Sequence, residues 1–131
     1  MTDLYLLLFV LGRVLLGGYF IKNGYGHLSN VKGLAGYAAS KGTPMPELAV
    51  IVTGVMLLLG GLGILLGVWV KLAVLLLAVF LIGVTFQMHR YWEVEDPMQK
   101  MGENVNFYKN LALLGAVLML LGIPLPWVAA L

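Results

Sequence analysis

The chain has 131 residues, of which 61% are hydrophobic and 11% charged, and a mean hydropathy of +0.97. Soluble domains run roughly half apolar and a quarter charged, so a soluble chain this short could not hide so much apolar surface and needs lipid as its solvent. A net charge of +2 argues against a nucleic-acid partner, and the absence of cysteine excludes a disulfide, a thiolate metal site and a thiol intermediate, so any redox role needs a bound cofactor or a partner.

In chain order, Leu4 to Ile21 is apolar except for Arg13 and is long enough to cross the hydrocarbon. Asp3 is the only side-chain charge before it, and the arginine lies inside the run. This is the reverse of a secretory signal, so the segment is expected to be retained. Ser29 to Ser40 reads as a short interfacial helix with Val31, Leu34, Ala35 and Ala38 on one side, ended by Gly42-Thr43-Pro44-Met45-Pro46. Leu48 to Val70 carries no charge and follows Glu47, whose acid suits the positive end of a helix dipole. Lys71 to Trp92 follows across the short connection Gly67–Lys71, which makes these two spans a tight hairpin. A fourth span runs from about Asn104 to Leu121, stopped by Pro124 and Pro126. The fold class expected is all-α: a four-helix transmembrane bundle forming a single domain over 1–131, with one interfacial helix between its first two spans.

Gly60, Gly61, Gly63 and Gly67 fall within an apolar span rather than after a strand, so they suit close helix packing and not a phosphate loop. Gly63 and Gly67 in particular make a small-xxx-small pair.

The polar residues are unevenly spread. In an antiparallel bundle one membrane face collects Lys22, Asn23, His27, Gln87, His89, Arg90, Trp92, Asn104, Asn106, Lys109 and Asn110, and the other holds Asp3, Trp69 and Lys71. Thr85, His89 and Trp92 share one helical side, as do Asn106, Lys109 and Asn110. Arg13 is deeper, and a cation at that depth costs ~2.5–3.5 kcal/mol on insertion scales, so it should point inward. Arg13, His89, Trp92 and Lys109 are therefore expected to line one cleft opening at the polar face. Other readings stand beside this one. Lys22, Arg90 and Lys100 also suit snorkelling to headgroups, and Trp92, Tyr91, Tyr25 and Trp69 an interfacial aromatic belt. Arg13, read first as a binding residue, can also bond to carbonyls of a neighbouring helix, and Asn106, Lys109 and Asn110 can join helices. Two histidines without acids at ligand spacing do not make a metal site.

The run Arg13-Val-Leu-Leu-Gly17 with Phe20, Gly36-Tyr37, Gly42-Thr43-Pro44-Met45-Pro46, His89-Arg90-Tyr91-Trp92, and Asn106-Phe107-Tyr108-Lys109-Asn110 with Gly115 resembles the DoxX family over nearly the whole chain. The resemblance implies a small four-helix protein, in a family named for its likeness to a subunit of thiosulfate:quinone oxidoreductase. It also implies a ligand-binding set of Arg13, His89, Trp92, Asn106, Lys109 and Asn110, in the bacterial cytoplasmic (inner) membrane.

Two functions fit these residues, and neither requires the chain itself to catalyse a reaction. One is an oxidoreductase-associated protein that binds a quinone or similar amphipathic small molecule, with electrons supplied by a redox partner protein, because no haem or iron–sulfur ligand set is visible. The other is a non-catalytic binding or assembly protein that holds a membrane lipid or a partner helix in the same cleft. By the positive-inside rule Lys22, Lys32, Lys41, Arg90 and Lys100, against Lys71, place the polar face in the cytoplasm and both termini outside.

Overall fold

A computed structural model describes residues 2–130. It is all-helical, and four of its helices are long and apolar enough to cross a membrane. The α-helices are α1 (Asp3–Ser29), α2 (Val31–Ser40), α3 (Pro46–Leu66), α4 (Val70–Met88) and α5 (Pro97–Met119), with 3₁₀ turns at Tyr91–Glu93 and Leu120–Gly122. The four spans and the short helix between the first two are those expected from hydropathy, but several boundaries differ, each for a local reason.

α1 continues past Ile21 to Ser29, so that Lys22, Asn23 and His27 are helical, because nothing breaks the chain before Asn30 (φ −139°). α4 stops at Met88 rather than Trp92. His89 is its C-cap and Trp92 sits in the following 3₁₀ turn, so Thr85, His89 and Trp92 do not form one helical stripe. α5 begins at Pro97, about two turns before Asn104. There the Asp96 side chain accepts from the Gln99 amide at 2.9 Å and proline occupies the first turn, where its missing N–H costs nothing.

Glycine governs how the spans meet, though the close pairs are not those the sequence pattern suggests. On α1, Gly17 and Gly24 lie about two turns apart and face Gly61 and Gly54 of the antiparallel α3. A Cβ on Gly17 would stand 2.8 Å from the Gly61 carbonyl oxygen, and one on Gly24 2.8 Å from that of Gly54. The backbones touch, so close packing takes the place of a hydrophobic driving force that lipid does not supply. Gly60 and Gly63 do the same for α3 and α4, where a Cβ would meet Leu77 or Ala73 at 2.6 Å. Gly67, the other half of the expected pair, ends α3 instead: its φ of +70° lies in the left-handed region, with its N–H on the Gly63 carbonyl.

α1 packs on α3, α3 on α4 and α4 on α5, and the α1–α5 seam is the loosest. Phe20, Leu57, Ile64, Leu77, Leu81 and Val117 form the fully buried interior. Leucines, valines and aromatics along the outer faces, among them Leu7, Leu15, Leu59, Leu75 and Val79, remain exposed, as the lipid-facing side of a bundle requires.

Candidate functional site

Arg13 points inward, as its cost in lipid demands, and is only 4% exposed. Its Nε donates to the Ile64 carbonyl at 3.3 Å. One terminal nitrogen donates to Val128 at 2.7 Å, and the other to Leu65 at 2.9 Å and Ala129 at 3.4 Å. Ile64 and Leu65 lie in the last turn of α3, whose carbonyls have no intrahelical partner and carry the negative end of the helix dipole. The guanidinium also faces the rings of Phe9 and Trp127 at 5.5 and 5.6 Å. Every donor group is engaged, so the cation joins α1, α3 and the C-terminal segment. This corrects the expectation of a single cleft: Arg13 is at the α3–α4 hairpin end, and His89 lies at the far end of the 19-residue α4, ~28 Å away at 1.5 Å per residue.

The polar end is organised by an acid, Glu103 of α5. Its carboxylate accepts from the Tyr37 hydroxyl at 3.0 Å and from His89 Nδ1 at 3.2 Å, and pairs with Lys41 Nζ at 3.4 Å. This side chain ties α2 and its following loop to the end of α4. Burial, then the hydrogen bond to Glu103 and its charge, push the Tyr37 phenol up to about 12, so it stays a donor across the physiological range. The Lys41 carbonyl accepts from Gln87 Nε2 at 3.1 Å and from Arg90 at 3.4 Å, which fastens the loop a second time. On α1, His27 Nδ1 lies 3.1 Å from Thr53 Oγ1 and 3.4 Å from the Val50 carbonyl, and its ring meets Phe80 edge-on at 5.9 Å.

Two cavities open from this end. The larger, about 580 Å³, lies between α2, α3 and α4, where the α3–α4 pair is no longer held together by glycine contacts. Its polar lining is His27, Tyr37, Thr43, Thr53, Gln87 and His89, and its apolar depth is Met56, Val79 and Phe80. Val79 and Gly83 line it and are exposed on the outside of the bundle, so it opens sideways toward lipid. The smaller, about 160 Å³, lies in the loose α1–α5 seam, with Asn23, Lys109 and Asn110 among its walls. His27, Phe80, Val84 and His89 line both cavities and form the partition between them.

Of the six residues expected at a ligand site, His89, Lys109 and Asn110 come together around the smaller cavity, and His89 also faces the larger. Asn106 accepts from Lys109 Nζ at 3.4 Å and lines neither cavity. Trp92 is half exposed and packs edge-on against Tyr91 and Phe107, outside both. Tyr37, Thr43, Thr53 and Glu103 were not among the residues expected. For Glu103 there was a signal: it precedes Asn106 by three and Asn110 by seven, the same helical side. Tyr37 and Thr43 sit on α2 and its loop, whose placement no periodicity reports.

Comparison with known proteins agrees with this architecture. The DoxX family profile matches residues 8–90. Inner membrane protein YphA of Escherichia coli (strain K12) is 32% identical over 114 residues, covering 86% of this chain and 80% of its own length. No solved structure matches.

Proposed function

The chain belongs to the DoxX family, and we propose that its work in the bacterial inner membrane is to bind an amphipathic small molecule of quinone type in the larger cavity. One observation carries this reading: a space of about 580 Å³ with apolar walls that opens toward lipid and gathers its polar side chains at the membrane edge. Small-molecule sites have this anatomy, a few hundred cubic ångströms of mostly apolar lining with a few placed polar groups. A molecule dissolved in the bilayer enters past Val79 and Gly83, leaves its tail against Met56 and Phe80, and sets its head among His27, Gln87 and His89. Electrons, if the ligand is turned over, come from a partner, because the chain carries no cysteine and no metal-ligating group of three or more His, Asp or Glu occurs among the described residues.

The test uses Gly83, where an added Cβ would meet nothing within 4 Å. Gly83→Phe places a ring in the mouth of the cavity without touching the core. Mass spectrometry of the small molecules released on denaturing purified protein should find an amphipath with wild type, and the variant, folded and with unchanged melting temperature, should have lost most of it. Equal retention by the two proteins overturns this site.

A further inference from the structure

We propose that the larger cavity selects a ligand whose head donates hydrogen bonds, a phenolic or alcoholic hydroxyl, and discriminates against a matched ligand whose head can only accept. This rests on the cavity being the ligand site and specifies the chemistry it reads.

The Thr53 hydroxyl donates to the Ala49 carbonyl at 2.7 Å, with Val50 second at 3.2 Å. Its one hydrogen is used, so Thr53 Oγ1 can only accept from His27 Nδ1. The Val50 carbonyl beside the same nitrogen is also an acceptor. Nδ1 of His27 therefore carries the proton, and in the neutral ring Nε2 is bare. No acid lies within bonding distance of His27, and its ring packs on Phe80.

His89 reaches the same state by another route. Its Nδ1 faces the Glu103 carboxylate, an acceptor that Lys41 and Tyr37 also hold, which directs the Nδ1–H outward and leaves Nε2 unprotonated in the neutral ring. Gln87 spends its amide hydrogens on the Lys41 carbonyl and Thr43 Oγ1, leaving its oxygen. The Thr43 hydroxyl is directed at Met88 Sδ, and the Tyr37 hydroxyl donates to Glu103, leaving its lone pairs.

The balance is one-sided. Nε2 of both histidines, Oε1 of Gln87 and Oη of Tyr37 are acceptors without a donor, while every polar hydrogen on the lining side chains is already committed. Acceptors set in a mostly apolar lining call for donors, and a site built to bond a hydroxyl rejects the analogue lacking it far more sharply than an apolar pocket rejects a change of size. A carbonyl or ether head would set lone pairs against lone pairs, so of the two redox forms of a quinone-type ligand the cavity takes the reduced one, whose ring hydroxyls donate, and not the quinone itself.

The probes are para-nonylphenol and para-nonylanisole, which share ring, tail and oxygen position and differ in the hydroxyl hydrogen. Calorimetric titration of the full chain in nanodiscs is run at a pH near 8, where the phenol probe keeps its proton. The phenol should bind at least ~10-fold more tightly than the ether in wild type. Two variants should narrow that ratio: Glu103→Gln, which frees His89 to exchange tautomers, and His27→Phe, which keeps a ring against Phe80 and removes Nε2. A merely structural loss would weaken both probes together and leave the ratio alone. Equal affinity of wild type for the two probes, or a ratio unmoved in both variants, overturns the selectivity and leaves the cavity reading standing. Failure of both probes to bind wild type overturns both readings.

Discussion

The two ends of the bundle treat buried polar groups in opposite ways. At the hairpin end a full charge, Arg13, is buried and all of its donor groups meet backbone carbonyls. At the other end the polar side chains lining the larger cavity have spent their hydrogens on the protein, and several acceptors remain over. At the hairpin end α3 and α4 meet through glycine contacts, and the cavity of about 230 Å³ beside them is walled by leucines, Val68 and Trp69, whereas the two cavities at the polar end carry polar side chains in their walls. The comparison teaches that the residue most conspicuous in the sequence, a charge in mid-span, is a structural clamp. The proposed ligand site draws instead on uncharged side chains whose bonding is incomplete.

The largest effect is expected at Arg13. Arg13→Leu leaves four carbonyls without a donor and detaches the C-terminal segment from α1 and α3. Hydrogen bonds to a charged group contribute about 1.5–3 kcal/mol each, so a total loss above ~3 kcal/mol is expected even with partial relaxation. Folded protein should fall sharply in size-exclusion profiles and melt earlier. Whatever survives should keep its bound molecule in normal ratio, because Arg13 is remote from both cavities. Loss of ligand with an intact fold would return Arg13 to the binding site.

Glycine contacts give the next effect. Gly61→Leu drives a branched side chain into the Gly17 carbonyl and Ile21, where even a Cβ stands at 2.7 and 2.8 Å. Overpacking of that kind costs typically ~1–3 kcal/mol. Gly115→Leu, at a position where a Cβ meets nothing within 4 Å, should leave the melting temperature unchanged. Equal destabilisation by the two would mean that small residues do not govern the α1–α3 approach.

The four spans, the interfacial helix and the inward arginine were legible because each follows from a strong solvent penalty: apolar length, amphipathic spacing, and the cost of charge in lipid. The acceptors of Arg13 were not legible, since backbone carbonyls at a helix end and in a terminal segment leave no mark in side-chain identity. The start of α5 was hidden by Gln99, Lys100, Glu103 and Asn104, which read as a polar connection, although Asp96-Pro97 is a helix-start signature. His27 and Gln87 were visible as members of a polar face. That they share a cavity depends on α3 and α4 diverging, which is set by where Gly60 and Gly63 allow contact and where nothing replaces them. Lys109, expected to line a cleft from its place on a polar stripe, does border the smaller cavity, but it is exposed and bonded to Asn106 alone among the described residues.

The smallest effect expected is at Tyr37, on the α2 side of the Glu103 cluster. Tyr37→Phe removes one hydrogen bond to a carboxylate that keeps His89 and Lys41, and the phenol is 41% exposed, so the loss in stability should stay under ~1 kcal/mol. Its signature should appear in alkali. In the folded protein the phenol holds its proton to about 12, whereas an unfolded tyrosine releases it near 10. Between those values the native state binds the extra proton. Tyr37's contribution is therefore complete below a pH of about 10 and declines as the pH rises toward 12. Ultraviolet titration of wild type against Tyr37→Phe should show the missing phenol as the late-ionising one. A difference spectrum that titrates with the exposed tyrosines would mean that Glu103 does not hold Tyr37, and that α2 is fastened to the bundle through the Lys41 loop alone.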